Sequence, residues 1–255
     1  MAELRRLFWD IETSPNVVLS WRVGRKVNLD NENILKERAI ICIGYKWEHE
    51  AKPKVLTWDA EQNDADMLAK FLAVANRADE LVHHNGDQFD LPWFLTRCAF
   101  HGIRTFPSYK TADTLQWARR RFYFNSNKLD YIARFLGIGA KLKTEFGLWK
   151  AICLNRDAAA LRRMKDYCAQ DVVLLEKVYS RLAELVPHKT HAGVLAGGGK
   201  WTCPRCASES VRVSSTRITA HGTVRKQMAC KQCGCIYTIG VPAFEQYKEA
   251  KKKTE

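Results

Sequence analysis

An apolar stretch that ends in two acidic residues constrains the fold of this chain more than any other feature. The stretch reads FWDIETSP and spans residues 8–15. Side chains of a β-strand alternate between its two faces, so Asp10 and Glu12 share one face, while Trp9 and Ile11 share the other. The stretch therefore predicts a strand of a buried sheet with two like charges side by side at its end.

The pattern of apolar residues over the first 190 residues predicts an α/β fold. Strands are expected at 4–13, 39–48, 53–58 and 80–85, with the second and third close enough in sequence to form a hairpin. Helical spacing of apolar residues recurs at 60–79, 90–101, 113–122, 128–136 and 157–186. Strands that cluster early and then alternate with helices indicate a mixed β-sheet flanked by helices.

Two further acidic residues occupy related places in this pattern. Asp90 follows the strand at 80–85 where a helix begins, and Asp171 lies on the long helix, four residues after Tyr167 and on the same face. Clustered carboxylates repel each other unless a cation neutralises them, and oxygen ligands suit Mg²⁺ and Mn²⁺. Four such ligands would hold two ions about 3.5 to 4 Å apart, an arrangement that supports in-line displacement at phosphorus.

Three motifs in this part of the chain resemble the exonuclease motifs of the DEDDy branch of the DnaQ-like 3′–5′ exonucleases. The motifs are Asp10-x-Glu12, Asn85 with Phe89-Asp90, and Tyr167-x3-Asp171. The stretches TADTLQWARR and KLDYIARFLG, residues 111–120 and 128–137, further resemble the proofreading exonuclease domain of family B DNA polymerases. The resemblance covers residues 4–186 and implies a ribonuclease H-like fold.

The resemblance also implies a role for each motif residue. Asp10 would bridge two Mg²⁺ or Mn²⁺ ions, Glu12 and Asp171 would complete the site of the attacking water, and Asp90 would serve the second ion. Tyr167 would orient that water or help to activate it. The expected activity is hydrolysis of DNA, single-stranded, from its 3′ end, with release of nucleoside 5′-monophosphates.

Several residues in and near these motifs have a second interpretation. Asn85 and Phe89 are expected to shape the site and contact the terminal nucleotide. Asp90 could instead cap the helix that begins near Pro92, and Asp87 is a rival for its place. The remaining candidates are Asp113 and Asp130 as helix caps, His83 and His84 as packing residues, and Lys141, Lys143 and Arg119 to Arg121 as a phosphate track or a solvated surface.

Cysteine spacing marks a second module near the C-terminus. Two pairs, Cys203-x2-Cys206 and Cys230-x2-Cys233, enclose a 23-residue β-rich insert with a turn at His221-Gly222. This spacing resembles a zinc ribbon with one structural Zn²⁺, and the alternatives are a redox pair or Cys235 in place of Cys233. We therefore expect an exonuclease domain at 1–190, a glycine-rich linker at 191–200 and a zinc ribbon with a basic tail at 201–255.

Charge predicts a polyanionic partner. The formal net charge is +13, and residues 191–255 carry 11 Lys and Arg against 4 Asp and Glu. Nucleic-acid contacts are expected from charged and aromatic residues of the ribbon, namely Trp201, Arg205, Arg217, Arg225 and Lys226. The ribbon could also dock a replication or repair protein.

The sequence also leads to expectations about cellular location and about alternative functions. The sequence shows no secretory leader and no long apolar stretch, so a cytoplasmic protein without a membrane partner is expected, in a bacterial cytosol or a virus-infected host cell. Besides the DNA exonuclease, three functions stay open: a 3′–5′ exoribonuclease, a proofreading subunit that needs a polymerase, and a non-catalytic nucleic-acid-binding protein.

Overall fold

The computed structural model describes residues 4–24, 27–48 and 50–252, and these residues form two compact units. One unit lies within Arg6–Tyr179, and the other lies within Ser180–Glu255 together with Leu4 and Arg5. The last three residues of the predicted basic tail, 253–255, lie outside the described part. None of the described helices combines the length and the apolar character needed to cross a lipid bilayer.

The first unit is built on a five-stranded mixed sheet. Its order is β5-β4-β1-β6-β7, in which β1 pairs antiparallel with β4 and parallel with β6. β4 and β5 form the predicted antiparallel hairpin, and β7 lies parallel to β6. The strands are β1 (Arg6–Thr13), β4 (Ile40–Trp47), β5 (Lys54–Thr57), β6 (Glu80–His83) and β7 (Thr111–Asp113). The predicted mixed sheet is thus confirmed, and β7 is a strand that the sequence analysis missed because it has only three residues.

Helices cover this sheet, and five of the six lie where the sequence pattern predicts them. Their bounds are α1 (Ala65–Ala75), α2 (Asp90–Phe100), α3 (Thr114–Arg121), α4 (Leu129–Phe135), α5 (Phe146–Asn155) and α6 (Ala158–Leu182). Helix α5 was not predicted. The described residues between β1 and β4 contain a short 3₁₀ turn at Asn31–Asn33 and a small hairpin of β2 (Val17–Val18) and β3 (Ile34–Lys36).

Strand β1 lies at the centre of the sheet and is covered on both faces. On one face Trp9 stacks on Phe71 of α1, with ring centroids 4.9 Å apart, and meets the edge of Phe94 of α2 at 6.2 Å. On the other face Phe8 meets the edge of Tyr179 of α6 at 5.2 Å. Because side chains alternate, Asp10 and Glu12 share the face of Phe8 and therefore point toward α6.

The second unit contains the cysteine-rich module. Its sheet has the order β10-β9-β8, with a turn at Gly222, where φ is +76°. The elements are α7 (Ala192–Leu195), β8 (Val211–Ile218), β9 (Val224–Cys230), β10 (Ile236–Gly240) and α8 (Val241–Lys252). The predicted hairpin is present as β8 and β9, whereas β10 and α8 were not predicted.

The glycine-rich segment 191–200 is a packed turn rather than an extended linker. It contains α7, and the N–H of Ala192 donates to the carbonyl of Pro204 at 2.8 Å. A Cβ atom on Gly193 would lie 1.8 Å from Oγ1 of Thr202. The glycines therefore permit close packing of this segment against the start of the ribbon.

Candidate active site

Three of the predicted carboxylates converge on one face of the sheet. Asp10 and Glu12 come from β1 and Asp171 from α6, and one carboxylate oxygen of each lies within 4.8 Å of those of the other two. Asp10 and Glu12 are half-buried, and Asp171 is buried. The backbone of the site is tied together by Cys168, one turn before Asp171, whose Sγ contacts the carbonyl of Asp10 at 3.7 Å. A central strand and the longest helix thus hold the three groups against each other.

The charge of this cluster is strongly disfavoured without a cation. Burial and the nearby Asp171 raise the pKa of Asp10 to about 7, and burial and Asp10 raise the pKa of Glu12 to about 8. Burial also raises the pKa of Asp171. Acids that resist ionisation at neutral pH are a frequent property of functional sites, where a bound cation restores the charged form.

Lys141 supplies one cation to the cluster. Its Nζ lies 2.7 Å from Oδ2 of Asp171 and 5.6 Å from the ring centre of Tyr167. Burial acts to lower the pKa of Lys141, but the charges of Asp171 and Asp10 raise it above its ordinary value. From the sequence, Lys141 was expected only in a phosphate track or on a solvated surface. A single lysine in an irregular segment carries no pattern that would have placed it on the acidic residues.

Asp90 lies next to the cluster but is engaged differently. It is buried at the first turn of α2, and its Oδ1 accepts the backbone N–H of Ile11 at 3.0 Å. Burial and the charge of Asp10 raise its pKa well above the ordinary value. Asp90 is the first residue inside α2, whose N-cap is Phe89, so the alternative that Asp90 caps the helix is not supported. The bond to Ile11 fixes the backbone between Asp10 and Glu12.

The other motif residues surround these acids. Tyr167 is half-buried, and burial with the charge of the nearby Asp171 raises its pKa to about 12. Asn85 adopts a left-handed backbone, φ +72°, and donates its N–H to Asp113 at 2.9 Å. Phe89 is partly buried against the core between the sheet and α1 and α2. Asn85 and Phe89 thus shape the β6–α2 connection that positions Asp90.

The rival residues of the sequence analysis have other partners. Asp87 bonds Nε2 of the buried His83 at 3.0 Å, away from the three-carboxylate cluster. Asp113 caps α3 as predicted, because its carboxylate accepts from the N–H groups of Leu115 and Gln116. Asp130 lies inside α4 and accepts the N–H of Lys141 at 2.8 Å, so the prediction that it caps the helix is wrong.

The acidic cluster fits the divalent ions that the resemblance implies. Its donor atoms are all carboxylate oxygens, the type preferred by Mg²⁺ and Mn²⁺. The Oδ1 atom of Asp171 is buried and has no hydrogen-bond partner among the described residues. A buried acceptor of this kind costs free energy unless an ion or a donor completes it. Asp10, Glu12 and Asp171 would hold the ions, and Asp90 is adjacent.

A second donor cluster lies in the C-terminal unit. The Sγ atoms of Cys203, Cys206, Cys230 and Cys233 lie within 4.8 Å of one another. Two of the separations, Cys203–Cys233 and Cys206–Cys230, are 3.6 and 3.7 Å. Tetrahedral Zn²⁺ with Zn–S bonds near 2.3 Å requires separations of about 3.8 Å. The group contains Cys233 rather than Cys235 and is compatible with the predicted zinc ribbon.

Backbone N–H groups favour the thiolate form of one cysteine, Cys230, whereas burial raises the pKa of Cys206 and Cys233. Burial acts to raise the pKa of Cys230, but the N–H groups of Cys233 and Gln232 point at its sulfur and lower the pKa to about 7. Ala207 and Gly234 follow the two pairs at equivalent positions, and both adopt a left-handed backbone, with φ of +58° and +72°. The two pairs thus form similar knuckles.

The predicted nucleic-acid contacts of the ribbon divide into exposed and buried residues. Arg217 and Arg225 are exposed and lie directly opposite each other on β8 and β9, and the Nζ of Lys226 lies 5.1 Å from the ring centre of Phe244. Arg205 is half-buried and pairs with Glu184 at 3.4 Å. Trp201 is 8% exposed and packs against Tyr247, so its prediction as a stacking surface is wrong.

Comparison with known proteins agrees with this fold. A model of the RNase H superfamily matches residues 27–183. A DNA polymerase from Thermococcus litoralis is 35% identical over 75 residues, which are 26% of this chain and 4% of that protein. A family B DNA polymerase from Pyrobaculum calidifontis superimposes with a TM-score of 0.56 at 15% identity, covering 72% of this chain and 25% of that one.

These similarities define the class of the protein. The mixed five-stranded sheet is ribonuclease H-like, and the chain is similar to DNA polymerases in part of its sequence and in fold. The chain belongs to the RNase H superfamily. It spans only a small part of the polymerases that it matches, and the resemblance to DnaQ-like proofreading exonucleases is supported.

Proposed function

We propose that this chain is a 3′–5′ exonuclease of the DEDDy type that hydrolyses single-stranded DNA with two Mg²⁺ or Mn²⁺ ions. The observation that carries the proposal is the convergence of Asp10, Glu12 and Asp171 within 4.8 Å, with Asp90 bound to the intervening backbone. The similarity to polymerases favours a nucleic-acid substrate, and the 3′–5′ direction comes from the resemblance of the three motifs.

Each side chain of the site has its own role in this proposal. Asp10, Glu12 and Asp171 would hold the ions, and Asp90 would serve the second ion while its bond to Ile11 keeps the acids on either side in place. When bound, the ions supply a hydroxide-like nucleophile near neutral pH and stabilise the departing 3′ oxygen. Tyr167 keeps its proton, because its pKa is about 12, and donates a hydrogen bond that orients the attacking water. Products are nucleoside 5′-monophosphates.

The test is digestion of 5′-labelled single-stranded DNA, with a matched RNA in parallel. We expect a ladder that shortens from the 3′ end with Mg²⁺ or Mn²⁺, disappears without divalent ions, and falls by several orders of magnitude in Asp10→Ala. Asp66→Ala is the matched control, because Asp66 is an exposed carboxylate of α1 that pairs only with Lys70 among the described residues.

Each alternative predicts a different result in the same assay. Digestion of the RNA alone would identify an exoribonuclease. If the protein binds the nucleic acid but digests it only after a partner polymerase is added, the protein is a proofreading subunit. Intact substrates under all conditions would identify a binding protein that has kept the fold. Any of these three results contradicts the proposal of a stand-alone DNA exonuclease.

We further propose that the ribbon, 201–255, binds one structural Zn²⁺ and contacts DNA, and that 1–190 is the exonuclease domain. Arg217 opposite Arg225 places like charges side by side, which destabilises a sheet unless an anion lies over the pair. Replication or repair is the expected setting. Elemental analysis should find one zinc per chain, lost in Cys206→Ser, and Arg217→Gln should weaken DNA binding at low salt.

A further inference from the structure

A row of four aromatic rings extends from the end of α3 to α4. Phe122 stacks on Phe124 with centroids 5.4 Å apart and planes 20° from parallel. Phe124 meets the edge of Phe135 at 5.4 Å, and Phe135 stacks on Tyr131 at 6.3 Å. We call Phe122, Phe124, Tyr131 and Phe135 the aromatic row. Tyr123 lies between the first two members in sequence.

One member of the row, Phe135, and the neighbouring Tyr123 face solvent. The side chain of Phe135 is 65% exposed, and that of Tyr123 is fully exposed. Phe122, Phe124 and Tyr131 are each only partly buried. Adjacent exposed aromatic side chains leave apolar surface in water, an arrangement that commonly marks a binding surface. The fully exposed Tyr123 contributes nothing to the fold through burial.

The charge beside the row is positive. Arg119, Arg120 and Arg121 end α3 immediately before Phe122, and all three are exposed. None of them forms an ion pair with any carboxylate in the described part of the chain, and Lys128, which precedes α4, is exposed as well. Unneutralised arginines next to exposed rings match a partner that carries both planar groups and negative charge.

Two contacts attach the row to the acidic site. Lys141 donates its N–H to Asp130, the neighbour of Tyr131, and its Nζ to Asp171, at 2.8 and 2.7 Å. On the other side His84 bridges Oγ1 of Thr114 and the carbonyl of Asn127, at 2.9 and 3.0 Å. His84 immediately precedes Asn85. Lys141 and His84 thus link the segments that carry the row to the segments that carry Asp171 and Asn85.

We propose that the aromatic row, Tyr123 and the three arginines bind single-stranded nucleic acid by stacking its bases and contacting its phosphates. The strand would cross this surface with its 3′ end directed to Asp10 and Glu12, so the proposal rests on the proposed function for that direction. Stacking accepts every base and needs unpaired bases, so the surface makes the enzyme tolerant of sequence and selective for single strands. It contacts nucleotides upstream of the terminal one.

Binding without divalent ions tests the surface separately from catalysis. We would measure fluorescence anisotropy of labelled twelve-nucleotide oligothymidylate, oligouridylate and a DNA duplex. Tyr123→Ala and Phe135→Ala should each weaken binding of both single strands by about 5- to 150-fold, the effect of one stacked base. Neither should change binding of the duplex. Because Tyr123 is fully exposed, its replacement leaves folding unaffected.

Two controls make the effect specific. Phe100 is 70% exposed at the end of α2, about 15 Å along the helix from Asp90, and Phe100→Ala should bind like wild type. Replacing all three arginines by glutamine should lower the salt dependence of binding, by about 0.7 in logarithmic slope for each phosphate that is no longer neutralised. An unchanged slope would remove the arginines from the proposed surface.

Kinetics give a second readout if the exonuclease is active. The aromatic variants should raise KM for the twelve-nucleotide substrate while a dinucleotide is cleaved at the wild-type rate, since it does not reach the row.

Equal anisotropy for wild type, Tyr123→Ala and Phe135→Ala overturns the inference even if digestion proceeds. Weaker binding by the variants supports it even if no digestion is found, which would refute only the proposed function. No binding by wild type overturns it and favours a protein partner.

Discussion

At the scale of single residues, protonation decides what each group in the acidic site can do. Asp10 and Glu12 have pKa values of about 7 and 8, so they become fully charged near neutral pH only when a cation joins them. Tyr167 has a pKa of about 12 and stays neutral. Its hydroxyl therefore keeps the single proton with which it can donate a hydrogen bond to a bound water.

Tyr167→Phe tests this role. The change removes the hydroxyl and leaves the ring that Lys141 approaches at 5.6 Å. We expect kcat to fall by about 100-fold, the lower end of the contribution of positioned groups of this type, while KM stays nearly constant. The measurement is the initial rate on a short single strand from pH 7 to 10. A wild-type rate for Tyr167→Phe would contradict the assignment.

At the scale of elements, buried ion pairs hold the strands and helices that support the site. Asp64 precedes α1, and its carboxylate accepts from Nε and Nη2 of Arg97 on α2 at 2.8 Å each and from the N–H of Ile40 at 2.9 Å. Burial acts to raise the pKa of Asp64, but these bonds hold it below its ordinary value. One carboxylate thus joins α1, α2 and β4.

Asp64→Asn should therefore destabilise the first unit without touching the catalytic acids. The change leaves Arg97 buried beside a neutral amide, and breaking such a pair costs about 3 to 5 kcal/mol. Urea denaturation at pH 7 measures the loss, with Asp66→Asn as the exposed control on the same helix. A difference below about 1 kcal/mol between the two variants would show that the ion pair contributes little.

The two knuckles of the ribbon offer an isolated test of backbone strain. Ala207 and Gly234 both have positive φ, but only glycine adopts it without a steric penalty. We expect Ala207→Gly to stabilise the ribbon, or leave its stability unchanged, and Gly234→Ala to destabilise it by about 1 kcal/mol. A Cβ on Gly234 meets nothing within 4 Å, so the second effect is purely conformational.

Thermal unfolding of the zinc-loaded protein measures both variants. Replacing Gly240 by alanine in β10 serves as the control, because its nearest neighbour for a new Cβ is 3.8 Å away and its φ is not positive. Destabilisation by Ala207→Gly of the same size as by Gly234→Ala would rule out the backbone explanation.

At the scale of the whole molecule, the uncompensated carboxylates couple stability to pH and to metal. Between pH 6.5 and 8.5 the folded first unit binds more protons than its unfolded form, because Asp10 and Glu12 have raised pKa values only when folded, whereas the lowered pKa of Cys230 acts in the opposite direction in the second unit. The free energy of unfolding therefore falls as pH rises through this window. His84, whose burial lowers its pKa to about 4, weakens the fold only below pH 6.5.

We expect a loss on the order of 2 kcal/mol between pH 6.5 and 8.5 for protein dialysed free of Mg²⁺ and Mn²⁺. Adding Mg²⁺ should restore stability, and by more at pH 8.5 than at 6.5, because the ions bind the charged carboxylates. Urea denaturation at each pH measures this. Asp10→Asn with Glu12→Gln should flatten the dependence, and a flat wild-type curve would contradict it.

The local pattern of the chain determined a large part of this structure. Alternation around Asp10 and Glu12 predicts a central strand with both acids on one face, and cysteine spacing predicts the four-sulfur cluster, because strand geometry and knuckle geometry are short-range properties. The sheet and five of its six helices follow from apolar periodicity. The elements that were missed, such as β7 and β10, are too short to show a period of their own.

The motifs predicted that the acidic residues meet, but only the tertiary structure decided which individual bonds join distant residues at the site. Lys141 reaches Asp171 across 30 residues of sequence, and Asp90 binds the N–H of Ile11 across 79. Trp201 is an aromatic residue of the kind that stacks on bases, but it is buried because Tyr247 of helix α8 packs against it. Pairings of this kind depend on where the sheet brings separate segments together, and no local pattern in the chain encodes that placement.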